Sequence, residues 1–255
     1  MSNTTDTKIA VVTGAAMGIG RAIAGQLAAD GLTVLVSDLD EAEAARTAAA
    51  LRDRGLSAES LKLDVSNADS IAAAFGQVAE RYGRCDVVVN NAGVARTFPF
   101  LDFPLDGFLT TMAVNVTGTL LCAQHAARLM VPRRWGRIIN IASVAGMRSV
   151  GIGRTAYGTS KAAVIGLTRQ IASALADHGI TANAVAPGPV DTPLTKVLHS
   201  EAFRRAYTAA IPMKRYGAPE EIASIVSFLA SERSDYITGA TIPIDGGFMA
   251  AGALG

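Results

Sequence analysis

Cysteine is scarce in this chain of 255 residues, which contains only Cys85 and Cys122. Two thiols are too few for a disulfide framework, so we expect a protein of a reducing compartment, the cytoplasm. The two cysteines are far apart, and the three histidines (His125, His178 and His199) show no metal-ligand spacing. The sequence therefore predicts no metal site.

The chain also lacks an excess of charge of one sign, since it has 23 basic and 22 acidic residues. A nucleic acid or an anionic membrane is therefore not expected as a partner. No uncharged apolar run reaches membrane-spanning length, and the polar tail 1–7 has no apolar signal-peptide core. The length of 255 residues fits one domain over residues 1–255, and because half of the residues (50%) are apolar we expect this domain to be globular.

Short β-branched runs alternate with longer alanine- and leucine-rich stretches. This pattern predicts an α/β fold with a doubly wound parallel β-sheet of about seven strands and helices on both faces. The strands are expected at 9–13, 33–37, 57–63, 87–90, 137–141, 181–185 and 241–244. The helices are expected at 19–30, 41–54, 70–82, 108–130, 156–178 and 220–229.

One irregular stretch, residues 187–219, contains five prolines and only a weak helical pattern at 201–210. A segment of this length without strong structure of its own is typical of a lid or binding loop. We therefore expect a substrate lid there.

A glycine-rich turn, TGAAMGIG at 13–20, lies between the first strand and the first helix. Glycine lets the backbone turn sharply and approach a pyrophosphate, which the N-terminus of the helix favours. Such a turn is often merely structural, but its position between strand and helix favours a single-domain Rossmann fold with a bound dinucleotide. Cofactor contacts are expected from Gly14, Met17, Gly18, Ile19 and Gly20.

Asp38 closes the second strand, where a carboxylate can accept hydrogen bonds from the adenosine ribose and repel a 2′-phosphate. Leu39 supplies no positive charge that would attract that phosphate. The cofactor is therefore predicted to be NAD. Further contacts to the adenosine side are expected at the next two strand ends, from Asp64, Val65, Asn91, Ala92 and Gly93.

Two residues of the sixth helix are candidates for acid–base chemistry. Tyr157 and Lys161 are four residues apart and therefore share one helical face. The charge of Lys161 would favour the phenolate and lower the tyrosine pKa, which is about 10 in isolation. Tyr157 could then act as acid in carbonyl reduction and as base in alcohol oxidation, while Lys161 also holds the nicotinamide ribose.

Two further polar residues complete the predicted catalytic group. Ser143 follows the fifth strand at the ligand-binding edge, where its hydroxyl can bond the substrate oxygen. Asn115 lies within a predicted helix, where an amide is unfavourable unless it has a buried partner, and could hold a water that relays protons to Lys161. Each residue alone is commonly structural, and their joint occurrence after a cofactor turn favours catalysis.

These motifs together resemble the short-chain dehydrogenase/reductase family over residues 13–247. The resemblance implies a catalytic tetrad of Asn115, Ser143, Tyr157 and Lys161, a homotetramer, and chemistry on C–O rather than C=C bonds. It also implies that Pro187, Gly188, Val190 and Thr192 bind the cofactor. The motifs that carry it are TGAAMGIG, NNAG at 90–93, YGTSK at 157–161, PGPVDT at 187–192 and IDGG at 244–247.

The substrate is expected to be a small alcohol or carbonyl compound, such as a polyol or a hydroxy acid. Arg96, Arg148 and Arg154 could bind an anionic group, although such arginines are more often solvated. Two other functions remain open: an NADPH-dependent 3-oxoacyl-[acyl-carrier-protein] reductase and a nicotinamide-binding regulator without turnover. Substrate contacts are expected from Ser143, Ala145, Met147, Arg148, Ile152, Tyr157, Gly188 and Leu194.

Overall fold

The computed structural model describes residues 7–251, apart from the side chains of Leu194 and Leu198. Seven parallel strands form one sheet in the order β3-β2-β1-β4-β5-β6-β7. The chain order therefore reverses between β1 and β4, where ligands bind in doubly wound folds. The strands are β1 (Ile9–Thr13), β2 (Thr33–Asp38), β3 (Ala58–Lys62), β4 (Val87–Asn90), β5 (Gly136–Ile141), β6 (Ile180–Pro187) and β7 (Thr241–Ile244).

The helices connect successive strands and confirm the predicted alternation. Their bounds are α1 (Gly18–Ala29), α2 (Glu41–Arg52), α3 (Ala68–Tyr82), α4 (Leu105–Met112), α5 (Gly118–Met130), α6 (Thr155–Leu175), α7 (Pro193–Leu198), α8 (Glu201–Ala210) and α9 (Pro219–Ala230). The predicted fold class is confirmed, and the predicted strands agree with the observed ones to within a residue or two.

Two apolar cores lie on opposite faces of the sheet. Alternate residues of a strand point to opposite faces, and in β1 Val12 packs with α1, α2 and α9 while Val11 packs with α3 and α5. Phe75 of α3 and Met130 of α5 fill the second face. Because both faces are covered, the strands need apolar residues at successive positions, which explains the continuous β-branched runs.

The helix expected at 108–130 begins three residues earlier and is interrupted by a π-helical turn, Ala113–Thr117. By length and composition alone, the stretch Leu105–Arg133 could cross a membrane, with a mean hydropathy of 1.2 over a window of 18 residues. In this fold, however, Cys122, Ala126 and Met130 lie fully buried in the core beneath the sheet.

The lid region is more regular than its prolines suggested. It contains α7, which begins at Pro193 after the capping residue Thr192, and α8, which covers the predicted helical piece at 201–210. Proline is favoured in the first turn of a helix because its missing N–H has no partner there anyway. Residues 187–219 therefore form two short helices beyond the carboxyl edge of the sheet.

Candidate active site

The glycine turn is held against the end of the neighbouring strand. Gly14 has φ +63°, and a β-carbon there would lie 2.8 Å from the Cα of Ala92. The Asn91 side chain donates to the carbonyl oxygens of Thr13 (3.0 Å) and Gly14 (2.9 Å). Asn91 thus fixes the shape of the turn, and Ala92 packs against it, so the ends of β1 and β4 form one rigid edge.

The remaining predicted residues of the turn lie at the start of α1. Met17 is 53% exposed, whereas Ile19 packs onto the first core. A β-carbon at Gly18 would lie 3.6 Å from the side chain of Thr192, and one at Gly20 would collide with the carbonyl oxygen of Gly14. The N-terminal end of α1 therefore offers bare backbone to a ligand, as a pyrophosphate site requires.

Asp38 lies beside this turn and stabilises it. Its Oδ2 accepts from the backbone N–H of Ala16 at 3.0 Å, and the Ala16 carbonyl accepts from the Thr47 hydroxyl at 2.9 Å. Met17, which follows Ala16 in the chain, and Leu39, which follows Asp38, are exposed and uncharged. Neither of these two residues therefore supplies a positive charge near Asp38.

At the end of β3, Asp64 is engaged in local turn contacts. Its Oδ1 accepts from both the N–H and the hydroxyl of Ser66, at 2.9 and 2.6 Å. The Val65 carbonyl oxygen lies against Gly118, where a β-carbon would approach it to 2.5 Å. The predicted adenosine-side residues thus lie at the same edge of the sheet as the glycine turn. One carboxylate oxygen of Asp64 is already engaged in hydrogen bonds within the protein.

Lys161 and Asn115 meet around Gly93, where a β-carbon would lie 3.2 Å from Asn115 Oδ1 and 3.5 Å from Lys161 Nζ. The Nζ of Lys161 donates to the carbonyl oxygen of Ile141 at 2.7 Å. The Lys161 side chain is almost fully buried, and burial lowers its pKa to about 8. A side chain at Gly93 would therefore crowd Asn115, and the lowered pKa brings the titration of Lys161 close to neutral pH.

Asn115 occupies the π-helical turn and has the buried partners that the sequence required. Its Oδ1 accepts from Val94 N at 2.8 Å, and its Nδ2 donates to Val94 O at 3.0 Å and to Ser160 Oγ at 2.9 Å. The Ser160 hydroxyl donates in turn to the carbonyl oxygen of Tyr157 at 2.8 Å. Asn115 thereby links the end of β4 to the helix that carries Tyr157 and Lys161.

Tyr157 and Ser143 are also brought together at this edge. Burial raises the Tyr157 pKa above its usual value, while the nearby Ser143 hydroxyl and the charge of Arg154 act in the opposite direction. The Lys161 ammonium lies 5.8 Å from the centre of the tyrosine ring. Lys161 was expected to lower this pKa; in the structure, Ser143 and Arg154 are the groups that do so.

The loop after β6 completes the cofactor side. Pro187 ends the strand, Gly188 packs closely on Asp245, and Val190 is buried in the first core. Thr192 caps α7 through Thr195, and its methyl group faces Gly18. The predicted nicotinamide segment and the glycine turn are therefore direct neighbours.

The predicted substrate residues are more dispersed. Ala145 is buried beside Ser143, whereas Met147 is 40% exposed and Ile152 is 93% exposed. The Arg148 guanidinium lies 4.9 Å from the centre of the Phe248 ring. Leu194 lies in α7, and its side chain is outside the described part of the chain.

An aromatic cluster on the lid was not predicted as a group. Its rings pack in sequence, with centroids 4.7 Å apart for His199–Phe203, 5.4 Å for Phe203–Tyr207 and 5.1 Å for Tyr207–Phe248. Tyr216 closes the cluster through a 3.0 Å hydrogen bond between its hydroxyl and His199 Nδ1. Only the spacing of Phe203 and Tyr207 on α8, four residues apart, was visible in the sequence.

Known proteins share this arrangement over nearly the whole chain. A family model described as enoyl-(acyl carrier protein) reductase matches residues 14–249. The 3-oxoacyl-[acyl-carrier-protein] reductase FabG of Aquifex aeolicus is 40% identical over 95% of this chain and 97% of its own length. A short-chain type dehydrogenase/reductase from Mycobacterium marinum has a TM-score of 0.92 at 36% identity, covering 96% of both chains. The chain belongs to the short-chain dehydrogenase/reductase family.

A second solved structure of the family adds a different substrate class. The gluconate 5-dehydrogenase from Burkholderia cenocepacia, described as a complex with NADP and tartrate, has a TM-score of 0.92 at 35% identity and covers 97% of both chains. As a short-chain dehydrogenase/reductase, this protein is an oxidoreductase that transfers hydride with a nicotinamide cofactor. Its bare glycine turn fits the pyrophosphate of such a cofactor, and Asp38 fits the ribose hydroxyls.

Proposed function

We propose that this protein interconverts a secondary alcohol and a ketone with NAD(H). The gathering of Ser143, Tyr157, Lys161 and Asn115 at the carboxyl ends of β4 and β5 is the observation that carries the proposal. The cofactor supplies or accepts the hydride at the substrate carbon. The protein must then move one proton at the substrate oxygen, and these four residues are suited to that task.

Tyr157 is the proton donor and acceptor at the substrate oxygen, and Ser143 binds the same oxygen through its hydroxyl. Positioned proton transfer of this kind contributes about 10²–10⁴-fold to a rate. Lys161, with a pKa lowered to about 8 by burial, titrates close enough to neutrality to pass protons. Asn115 holds the helix of Tyr157 in place through Ser160, and its Oδ1 lies against Gly93.

The proposed preference for NAD(H) rests on Asp38 and its surroundings. A 2′-phosphate would face this carboxylate without a cation from Met17 or Leu39 to offset the repulsion. The Burkholderia relative is described with NADP. The preference in this chain is therefore argued from its own residues and not from that relative.

A small polyol or hydroxy acid is the proposed substrate class. The tartrate described with the Burkholderia relative is a hydroxy dicarboxylate, and gluconate is both a polyol and a hydroxy acid. The aromatic rings of the lid, together with Arg148 over Phe248 outside it, would suit a compact polar molecule. A small-molecule partner, rather than a nucleic acid or a membrane, is part of the same proposal.

An alternative function is suggested by the Aquifex relative, a 3-oxoacyl-[acyl-carrier-protein] reductase. Such an enzyme needs basic surface at the mouth of its site for an acidic carrier protein. Arg133 and Arg134, the candidates in the sequence, precede β5, whereas Ser143 follows it. Six residues of strand span about 20 Å, so these arginines lie at the opposite edge of the sheet within one subunit.

The test is a spectrophotometric screen at 340 nm, with secondary alcohols, polyols, hydroxy acids and acetoacetyl thioesters offered with each cofactor. Oxidation of one alcohol class with NAD supports the proposed function. Activity confined to NADPH and the thioester would replace it with the carrier-protein reductase. Binding of NADH without turnover of any substrate would favour the regulator.

We also propose a cytoplasmic homotetramer. Leu105 and Leu109 of α4 are 70% and 56% exposed, and β7 forms a short edge of the sheet with Ile242 and Ile244 only half-buried. A second subunit would cover such surfaces. Light scattering of the purified protein tests this, and a monomer mass would reject it. Residues 252–255 lie outside the described residues.

A further inference from the structure

Arg154 lies immediately before α6, next to the catalytic tyrosine. Its guanidinium carbon is 5.9 Å from the centre of the Tyr157 ring, and its charge lowers the pKa of Tyr157. The side chain is half-buried. A cation is therefore fixed beside the position where the substrate oxygen must bind.

This cation lacks the carboxylate partner that its neighbours have. Three arginines of the lid region are paired, namely Arg204 with Asp191, Arg205 with Glu201 and Arg215 with Glu221. Within residues 7–251, no carboxylate lies within ion-pair distance of Arg154. A half-buried guanidinium without a counter-charge favours an anion in its vicinity.

His199 positions this guanidinium. The Arg154 Nη2 lies 3.1 Å from His199 Nε2, and since arginine can only donate, the histidine nitrogen must accept. The ring proton is then on Nδ1, which donates to the Tyr216 hydroxyl at 3.0 Å. Burial and the charges of Arg154 and Arg204 lower the His199 pKa, which keeps the ring neutral. Only one of the arginine's five N–H donors is used in this contact, so the others remain for a ligand.

We propose that Arg154, oriented by His199, binds the carboxylate of a hydroxy or oxo acid whose reacting carbon lies within a few atoms of that carboxylate. This inference rests on the proposed function and narrows its substrate class. The distance from Arg154 to Tyr157 favours a short acid, because both ends of the substrate must be held at once. The lid contributes His199, which orients Arg154 and thereby helps to select acidic substrates.

The experiment compares each hydroxy acid with its uncharged primary amide, for example 3-hydroxybutyrate with 3-hydroxybutyramide and lactate with lactamide. The ratio of kcat/KM for acid over amide is measured in wild type, Arg154→Gln and Arg154→Lys. The ratio cancels any change in the Tyr157 pKa, which affects both substrates alike. We expect wild type to prefer the acid, and Arg154→Gln to lower the ratio about 10- to 100-fold. Arg154→Lys should recover part of the loss, because it keeps the charge but not the fork of donors.

Arg205→Gln is the matched control, because it removes the same charge from an exposed side chain of the lid that is paired with Glu201. Its acid-to-amide ratio should equal that of wild type. An unchanged ratio in Arg154→Gln, or a preference of wild type for amides, would overturn the inference while leaving the dehydrogenase function intact.

A binding measurement separates the two proposals. Malonate is titrated calorimetrically into the protein with NADH, and we expect binding that is lost in Arg154→Gln and retained in Tyr157→Phe. If no substrate of either kind is turned over, the proposed function fails. Malonate binding alone then tests whether Arg154 binds a carboxylate. Equal binding by wild type and Arg154→Gln, or none by wild type, would overturn it.

Discussion

The ammonium group of Lys161 donates to the carbonyl oxygen of Ile141, the last residue of β5, at 2.7 Å. The helix that carries Tyr157 and Lys161 is thus bonded to the end of the strand that leads to Ser143. Because Lys161 is buried, this contact comes with a pKa lowered from 10.5 to about 8. The buried charge of Lys161 should therefore lower the free energy of unfolding by a measurable amount.

The first prediction concerns Lys161→Met and pH. Between pH 8 and 10.5 the unfolded chain holds the Lys161 proton more tightly than the folded one, so this group makes the unfolding free energy rise with pH. The full effect is on the order of 3 kcal/mol. Urea unfolding at pH 7, 8, 9 and 10 should show wild type gaining stability relative to Lys161→Met across that window. Parallel pH dependences of the two proteins would contradict the burial of a charged Lys161.

Tyr157→Phe should abolish turnover and leave NADH binding nearly unchanged. The variant removes one hydroxyl from a half-buried ring, and loss of the acid–base group should cost about 10²–10⁴-fold in kcat. Steady-state kinetics measures the first effect, and fluorescence titration with NADH measures the second. A biological activity that survives this change would show that the protein acts as a regulator.

Asp38→Asn combined with Leu39→Arg should shift the cofactor preference towards NADP. The asparagine keeps an acceptor for the Ala16 N–H, and the arginine adds a cation at an exposed position. We expect the ratio of kcat/KM for NAD over NADP to fall by about 10- to 100-fold. Leu39→Gln, which adds no charge, is the control. Equal efficiency of wild type with both cofactors would already refute the role given to Asp38.

Gly14→Ala should destabilise the protein more than Gly31→Ala. Both glycines have positive φ, +63° and +92°, but a β-carbon at Gly14 meets Ala92 at 2.8 Å and one at Gly31 meets nothing within 4 Å. The backbone term alone costs about 1–2 kcal/mol, and the clash at Gly14 adds about 1–3 kcal/mol. Thermal unfolding of both variants measures the difference. Equal losses would mean that the contact with Ala92 relaxes without cost.

The sheet was predictable because each strand is buried on both faces and is therefore a continuous apolar run. Helix α7 was not predicted, although Thr192 before Pro193 is a typical helix start, because the prolines of the region are equally typical of a loop. The π-helical turn was not predictable from its own residues. It coincides with bonds from Asn115 to Val94 and Ser160, 21 and 45 positions away.

The candidate site was predictable only in part for the same reason. The spacing of Tyr157 and Lys161 follows from helical geometry, which the sequence carries locally. The contact of Arg154 with His199 joins residues 45 positions apart, and no local sequence pattern predicts it. The same is true of the aromatic cluster, whose Phe248 is 41 positions beyond Tyr207 along the chain.

The separation between the sheet edge and the lid has an evolutionary consequence. The residues to which we assign proton transfer are anchored on β4, β5 and α6, whereas the aromatic cluster comes from residues 199–216 and Phe248. Substitutions in this second set can change which molecule is accepted without disturbing hydride chemistry. New substrate specificities can therefore evolve through substitutions in the lid while the residues at the edge of the sheet stay the same.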